Sequence, residues 1–340
     1  MKNQEELNVL NSGGGIASEG FIMPINSLIS YINDNVSFDY PIGTEFDTIN
    51  DELFVWKYVI KTNISNSKLG VKQPKKVPNI VENQFRFHVD TVQLQKAITN
   101  INLEDIIQIS WKEHGTSGIF PEEHYYKFCS SRKVIKDCKL NPNLTKGYYD
   151  CDIWNIAFNV IEEYLQKGLT VYAEIVGYMP NGQMIQKDYD YKCVYNPKSF
   201  DYQKMIPKQM YHARLFDIIV YRITYTNVDG KVFEFSTQQV KEFCKKYSLH
   251  SVKELYYGRA ENLFPNLNIN EHWHEEFLTN LRNMYLEQRS VLCNNNVPEE
   301  GIVLRREVNG IDVYKLKSIN FLEKESKMLD RGEIDIESNQ

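Results

Sequence analysis

The 340-residue chain has no run of 18 or more uncharged apolar residues, which excludes an ordinary membrane-spanning helix. Its opening, MKNQEELNVLNSGGG, lacks the apolar core of a secretory signal. No Cys-x-x-Cys pair occurs among the six cysteines at 129, 138, 151, 193, 244 and 293, and their gaps fit no zinc pattern. Scattered thiols in a chain this long read as reduced core residues of a cytoplasmic protein, so the sequons at Asn35, Asn63 and Asn143 read as chance matches. The patterns G-x-x-x-x-G-K-S/T, G-x-S-x-G and H-E-x-x-H are missing as well. There is no excess of positive charge: 39 Lys and Arg stand against 45 Asp and Glu, a net charge of −6. That balance does not advertise nucleic-acid binding, although a local basic groove is compatible with it.

What is present is an ordinary globular composition rich in Tyr (22) and Phe (17), most of which must serve a core. Residues 1–19 are polar and glycine-rich, 20–60 carry strand-like apolar runs, and 61–80, with Lys75 and Lys76, read as a linker of Lys, Asn, Ser and Pro. Residues 105–112 alternate, with Ile107, Ile109 and Trp111 on one face and Gln108, Ser110 and Lys112 on the other. Asp152 can cap a helix whose stripe is Ile153, Ala157, Val160, Ile161 and Tyr164, ended by Gly168. A strand is predicted over 169–178, and FDIIVYRITYT with KVFEFS around Asn227–Gly230 predicts a hairpin. Ser236 and Gln239 form a capping box for a helix through Tyr247, and another helix is predicted over 271–290. A final hairpin turns at Asn309-Gly310. The pattern is α+β, dominated by antiparallel hairpins.

Three places could carry chemistry. Lys112 ends a strand on its polar face, followed by Glu113, His114, Gly115, Thr116 and Ser117, with the glycine permitting a tight turn. Glu174 interrupts an apolar strand on the face of Thr170 and Tyr172, so it faces either solvent or a pocket. If Asn309-Gly310 is a two-residue turn, Ile302 faces Lys317 and Leu304 faces Lys315, and Glu300, Lys315 and Lys317 share a face. One acid and two lysines there could serve a polyphosphate and its metal, or form a solvated salt-bridge face. His272 and His274, two residues apart on a helix, do not share a face. Lys127, Arg132, Lys133, Lys136 and Lys139 form the best candidate basic patch.

In order along the chain, K-E-H-G-T-S (112–117), Y-A-E-I-V-G (172–177), F-D-I-I-V-Y (216–221), E-G-I-V-L-R (300–305) and K-L-K (315–317) resemble the motifs of the covalent nucleotidyltransferases, the polynucleotide ligases and capping enzymes. The K-x-H-G form is similar to RNA ligases of the nick-sealing type. The resemblance covers roughly 80–330 and implies a nucleotidyltransferase (adenylation) fold of antiparallel sheets with flanking helices over 81–330, then a tail at 331–340. Residues 1–60 resemble the end of the OB domain of one RNA ligase group. That leaves a partial OB-like segment, so either another chain supplies the missing strands or the protein works without them. Residues 318–340 are too few for the C-terminal OB domain of DNA ligases and capping enzymes, which favours RNA ligase.

The resemblance implies ATP and Mg²⁺ or Mn²⁺ as cofactors, and RNA ends or nicks, or an RNA/DNA hybrid, as partner. Lys112 would form lysyl-AMP. AMP would pass to a 5′-phosphate, and a 3′-OH would then displace it. Glu174 would hold the ribose, Phe216 would stack on adenine, and Glu300 would serve the metal. Lys315 and Lys317 would neutralise phosphate charge, Arg132 would meet a phosphate, and Gly115 belongs to the nucleotide loop. His114 would help AMP transfer. Lys315 and Lys317 are also expected to favour the neutral Lys112 amine in the empty site. The alternatives are a capping-type guanylyltransferase and an inactive nucleic-acid-binding relative.

Overall fold

Period-two alternation in the sequence becomes two sheets, joined by the segment that carries Lys112. The computed structural model describes residues 91–123, 126–132, 134–136, 151–192, 201–308 and 312–331, with two short strands at 48–49 and 52–53. The chain divides into two units, Met1–Lys61 and Thr62–Gln340. In the first, the described part is an antiparallel pair, β1 (Thr48–Ile49) with β2 (Glu52–Leu53). The rest of the expected OB-like segment and the 61–80 linker lie outside the described residues, as do Cys138, Cys193, Lys133, Lys139 and the tail from 332.

The second unit contains a small sheet and a large one. The small sheet has the order β11 (Glu254–Arg259), β4 (Ile106–Trp111), β12 (Gly301–Arg306), β13 (Val313–Lys317) and β3 (Val92–Gln93). Its apolar face carries Ile107, Ile109, Trp111, Ile302, Leu304, Tyr314 and Leu316. That face buries Phe277 and Leu281 of α5 (Trp273–Tyr285) and Leu94 of α1 (Leu94–Ala97). The large sheet has the order β10 (His250–Ser251), β8 (Phe216–Thr226), β7 (Leu169–Gly177), β5 (Thr116–Glu123) and β6 (Tyr126–Lys127), and β9 (Val232–Glu234) also pairs with β8. Only β10–β8 and β13–β3 are parallel among the described pairs.

Local chemistry sets the helix ends. Asp152 accepts a hydrogen bond from Asn155 N at 3.1 Å and starts α2 (Ile153–Ile161). The α2 stripe of Ile153, Ala157, Val160 and Ile161 packs into the core under the large sheet. A short α3 (Pro207–His212) precedes β8. The Ser236–Gln239 capping box opens α4 (Thr237–Tyr247), and α6 (Ile319–Asp330) follows β13 directly. The described cysteines, Cys129, Cys151, Cys244 and Cys293, are free thiols. No helix among the described residues is long and apolar enough to cross a membrane.

The last hairpin differs from expectation by one residue. Gly301 pairs with Lys317, Ile302 with Leu316 and Val303 with Lys315, one residue away from the strand register expected from a two-residue turn. A one-residue slip exchanges faces. The lysines therefore share a side with Gly301 and Val303 rather than with Ile302 and Leu304.

Candidate active site

The chain leaves β4 in the small sheet at Trp111 and enters β5 in the large sheet at Thr116. Lys112–Gly115 therefore crosses from one sheet to the other. Lys112 N donates to Gly301 O at 2.9 Å, which fixes the crossing to the start of β12. Glu300 stands just before that strand. Gly301 has φ +141°, a backbone that favours glycine, and a Cβ there would lie 2.1 Å from Leu316 O. This local reversal returns Glu300 to the lysines despite the shifted register.

Three cationic or polar groups converge on its carboxylate. Lys112 Nζ lies 2.7 Å from Glu300 Oε1, Lys317 Nζ lies 3.3 Å from the same oxygen, and His114 Nδ1 lies 3.3 Å from Oε2. Glu300 is 1% exposed. Burial alone would raise its pKa, but Lys112, Lys317 and His114 outweigh burial and hold the carboxyl well below its ordinary range. The attraction is mutual: the Glu300 carboxylate is the nearest counter-charge to the Lys112 amine. The expectation that Lys315 and Lys317 would favour the neutral amine did not include this carboxylate, which stands 2.7 Å from Lys112 Nζ.

Glu174 is the second anchor. It sits mid-strand in β7, opposite Ser117 of β5, and Oε1 accepts a hydrogen bond from Gly115 N at 2.9 Å. It is buried, so it does not face solvent. Gly115 is required for close approach rather than for a turn: a Cβ there would lie 2.3 Å from Ile175 O.

His114 is held on every side. Tyr191 OH accepts from His114 N at 2.6 Å and donates to His114 O at 3.0 Å. Burial, then the charge of Glu113, pushes the Tyr191 phenol far up, so it keeps the proton that it donates. Tyr189 and Phe321 meet the imidazole edge-on, with centroids at 4.6 and 4.9 Å, and Gln186 Nε2 lies 2.6 Å from Nε2. Phe321 comes from α6, whose Glu325 also pairs with Lys317 at 3.6 Å. Two more carboxyls lie beneath. Burial, reinforced by Glu299, Glu174 and Asp217, raises Glu113 well above its usual range, and burial first of all raises Glu299 to about 7.

Other expected residues fall elsewhere. Phe216 is 1% exposed and belongs to the core with Ile218 and Val220, whereas Ile219, paired with Glu174, lies on the opposite face. The ring is thus turned away from Glu174, a correction to its expected place on adenine, because strand alternation from Ile219 carries Phe216 to the far side. Lys315 shares the sheet face of Lys317. Arg132 sits half-buried in the Ser131–Val134 turn, next to the Ser130 backbone that pairs with Ile119 of β5. Of the expected basic patch, Lys127 binds Glu162 O at 2.9 Å and Lys136 is buried over Trp154 at 4.1 Å, while Lys133 and Lys139 lie outside the described residues. His274 binds Ile101 O at 3.0 Å, a structural role. Among the described residues no group of three or more His, Cys, Asp or Glu can hold a metal ion.

Gln186, Tyr189, Tyr191 and Phe321 lie outside every motif read from the sequence. The alternation of Tyr189 and Tyr191 in DYDYK was the one visible signal.

No family model and no curated protein matches the chain. Solved structures do. Several are structures of a Naegleria gruberi RNA ligase. A lysine-to-alanine variant of the Naegleria gruberi RNA ligase with ATP and Mn is 18% identical, with 71% of this chain and 59% of that chain covered and a TM-score of 0.46. The same ligase with PPi is 16% identical, with 76% and 64% covered and a TM-score of 0.44. An arginine-to-alanine variant with ATP and Mn is 17% identical, with 73% and 64% covered and a TM-score of 0.44. The match spans about three-fifths of those chains. At this level of similarity the reading of the site rests on the geometry above.

Proposed function

We propose that the protein is an ATP-dependent RNA ligase working through a lysyl-AMP intermediate. The observation that carries this reading is the single buried carboxylate of Glu300 shared by Lys112 and Lys317 at the junction of two sheets. A solvated salt-bridge face would not bury its acid to 1% exposure.

In the first step the Lys112 amine attacks the α-phosphate of ATP, and pyrophosphate leaves. The amine must first give up its proton and its hold on Glu300. A divalent ion arriving with the nucleotide would be bound by Glu300 and phosphate oxygens, a donor set suited to Mg²⁺ or Mn²⁺, and would neutralise phosphate charge. Lys317 and Lys315 face the same side of the sheet and would stabilise charge on the phosphates in the transition state. Glu174 would hold the ribose, and its bond to Gly115 N fixes the loop behind the nucleophile. Arg132 is assigned to a phosphate. In the second step AMP passes to the 5′-phosphate of an RNA end, with His114 beside the transferring group. In the third step a 3′-OH attacks that end and releases AMP. A partner chain that completes the N-terminal OB-like segment, and a cytoplasmic setting, belong to the same proposal.

The test is joining of a 5′-phosphate RNA strand to a 3′-OH RNA strand, nicked and free, with ATP or GTP and Mg²⁺. ATP-dependent sealing that is lost in Lys112→Ala supports the reading. Activity with GTP alone favours a capping-type transferase. RNA binding without either reaction, unchanged in Lys112→Ala, favours an inactive relative.

A further inference from the structure

The crossing from Lys112 to Gly115 belongs to neither sheet, so its backbone groups have no neighbouring strand to bond. Buried backbone donors and acceptors need partners wherever the chain runs. At the two ends of the crossing they are close by: Lys112 N donates to Gly301 O at 2.9 Å, and Gly115 N donates to Glu174 Oε1 at 2.9 Å. In the middle, one side chain serves His114 twice. The His114 backbone N–H donates to the Tyr191 hydroxyl oxygen at 2.6 Å, and that hydroxyl donates to His114 O at 3.0 Å. The donors and acceptors here are unambiguous: a backbone N–H only donates, a carbonyl only accepts, and a hydroxyl does both. In an antiparallel sheet one residue of the adjacent strand fills both roles. At this crossing a single phenol fills them.

Tyr191 is itself firmly placed. It is buried, and its backbone forms an antiparallel bridge with Cys293. Lys192 N donates to Leu292 O at 2.9 Å, and Asn294 N donates to Asp190 O at 2.8 Å. The chain then runs from this bridge through Val297, whose carbonyl accepts from Ser290 N at 2.8 Å, to Glu300, the carboxylate 2.7 Å from Lys112 Nζ. The phenol therefore joins the crossing that carries Lys112 to the segment that leads to Glu300. Lys112 stands two residues before the clamped His114, so a shift of the crossing moves its amine. Without the hydroxyl, His114 loses two bonds at once, and of the bonds named above only those at the two ends of the crossing remain.

We propose that Tyr191 is the positioning residue of the Lys112–Gly115 crossing, its hydroxyl standing in for a neighbouring strand so that Lys112 is held in place for attack. The consequence for lysyl-AMP formation rests on the ligase reading; the clamp on His114 does not. Misplacing a reacting group by about 1 Å can slow a reaction by about a hundredfold. A buried residue that sets the position of the nucleophile acts on the rate of attack rather than on ATP affinity.

The deciding experiment uses the full-length protein and Tyr191→Phe, which keeps the ring and removes only the hydroxyl. Amide hydrogen exchange at His114 is read first. In wild type that amide should be protected, because its acceptor is buried, and rapid exchange there would overturn the clamp whether or not the variant folds. In Tyr191→Phe its exchange should quicken by about tenfold or more relative to the amides of β7. Single-turnover lysyl-AMP formation is then followed over a range of ATP concentrations, well below the Tm of each protein. The maximal rate should fall by about tenfold or more, with half-saturating ATP within about threefold of wild type. Val160→Ala, a core truncation on α2, lowers stability without touching the crossing and should keep the rate within about twofold. An unchanged rate in Tyr191→Phe, a rise in half-saturating ATP with the rate intact, or an equal loss of rate in Val160→Ala would overturn the positioning role. If wild type forms no lysyl-AMP while exchange at His114 responds as expected, the ligase reading fails and the clamp stands.

Discussion

Lys112 and Glu300 meet at 2.7 Å although 187 residues separate them, because the end of β4 is hydrogen-bonded to the start of β12 through Lys112 N and Gly301 O. The pairing makes one carboxylate the counter-ion of Lys112 and of Lys317 together. Under the proposed ligase reading, nucleotide binding has to redistribute those contacts.

Glu300→Gln keeps the shape and removes the charge. It is expected to lower lysyl-AMP formation by about a hundredfold, the scale of losing one electrostatic group at a reacting centre. Single-turnover labelling with ATP measures this, and a change of less than threefold would remove Glu300 from the site.

Gly115→Ala tests the close approach of the nucleotide loop to β7. The new Cβ would lie 2.3 Å from Ile175 O, against rigid backbone, so the loop must move and loosen the bond to Glu174. A loss of about 2 kcal/mol or more is expected in denaturant unfolding, together with loss of adenylation. Unchanged stability and activity would mean that the loop is not held this way.

Much of this was legible in the sequence, and the reasons differ by element. The β4 alternation, the Asp152 cap and the Ser236–Gln239 capping box are local, and local rules found them. Glu300 and the lysines were grouped for a partly mistaken reason. The turn arithmetic slipped by one residue, and the unusual backbone at Gly301, a tertiary feature, restored the contact. Gln186, Tyr189, Tyr191 and Phe321 come from distant segments whose meeting at His114 depends on how the two sheets join. Phe216 misled because its motif position says nothing about which face of β8 it occupies.

Phe216→Leu separates these two readings. As a core residue it should cost about 1 kcal/mol of stability and leave the KM for ATP within twofold. A tenfold rise in KM with an unchanged Tm would instead return Phe216 to the base-binding site.

Stability should also depend on pH through Glu299. Its folded-state pKa of about 7 lies above the ordinary 4.5, so between those values the folded protein holds a proton that the unfolded chain has lost. The stabilisation is complete below about pH 4.5 and fades as pH rises through about 7, amounting to on the order of 3 kcal/mol. Glu113 shifts in the same direction, whereas Glu300 opposes it only as pH falls below its ordinary range. Glu299→Gln should raise Tm relative to wild type at about pH 8, and much less at about pH 4.5. Equal Tm differences at both values would contradict the assignment.

The central claim is that Lys112 becomes covalently bonded to AMP. Wild type and Lys112→Ala would be incubated with α-labelled ATP and Mg²⁺, resolved under denaturing conditions, and the labelled peptide sequenced by mass spectrometry. The account expects label on wild type, carried by Lys112 as a phosphoramidate and absent from Lys112→Ala. Label on another residue, or no label on folded wild-type protein, would contradict it.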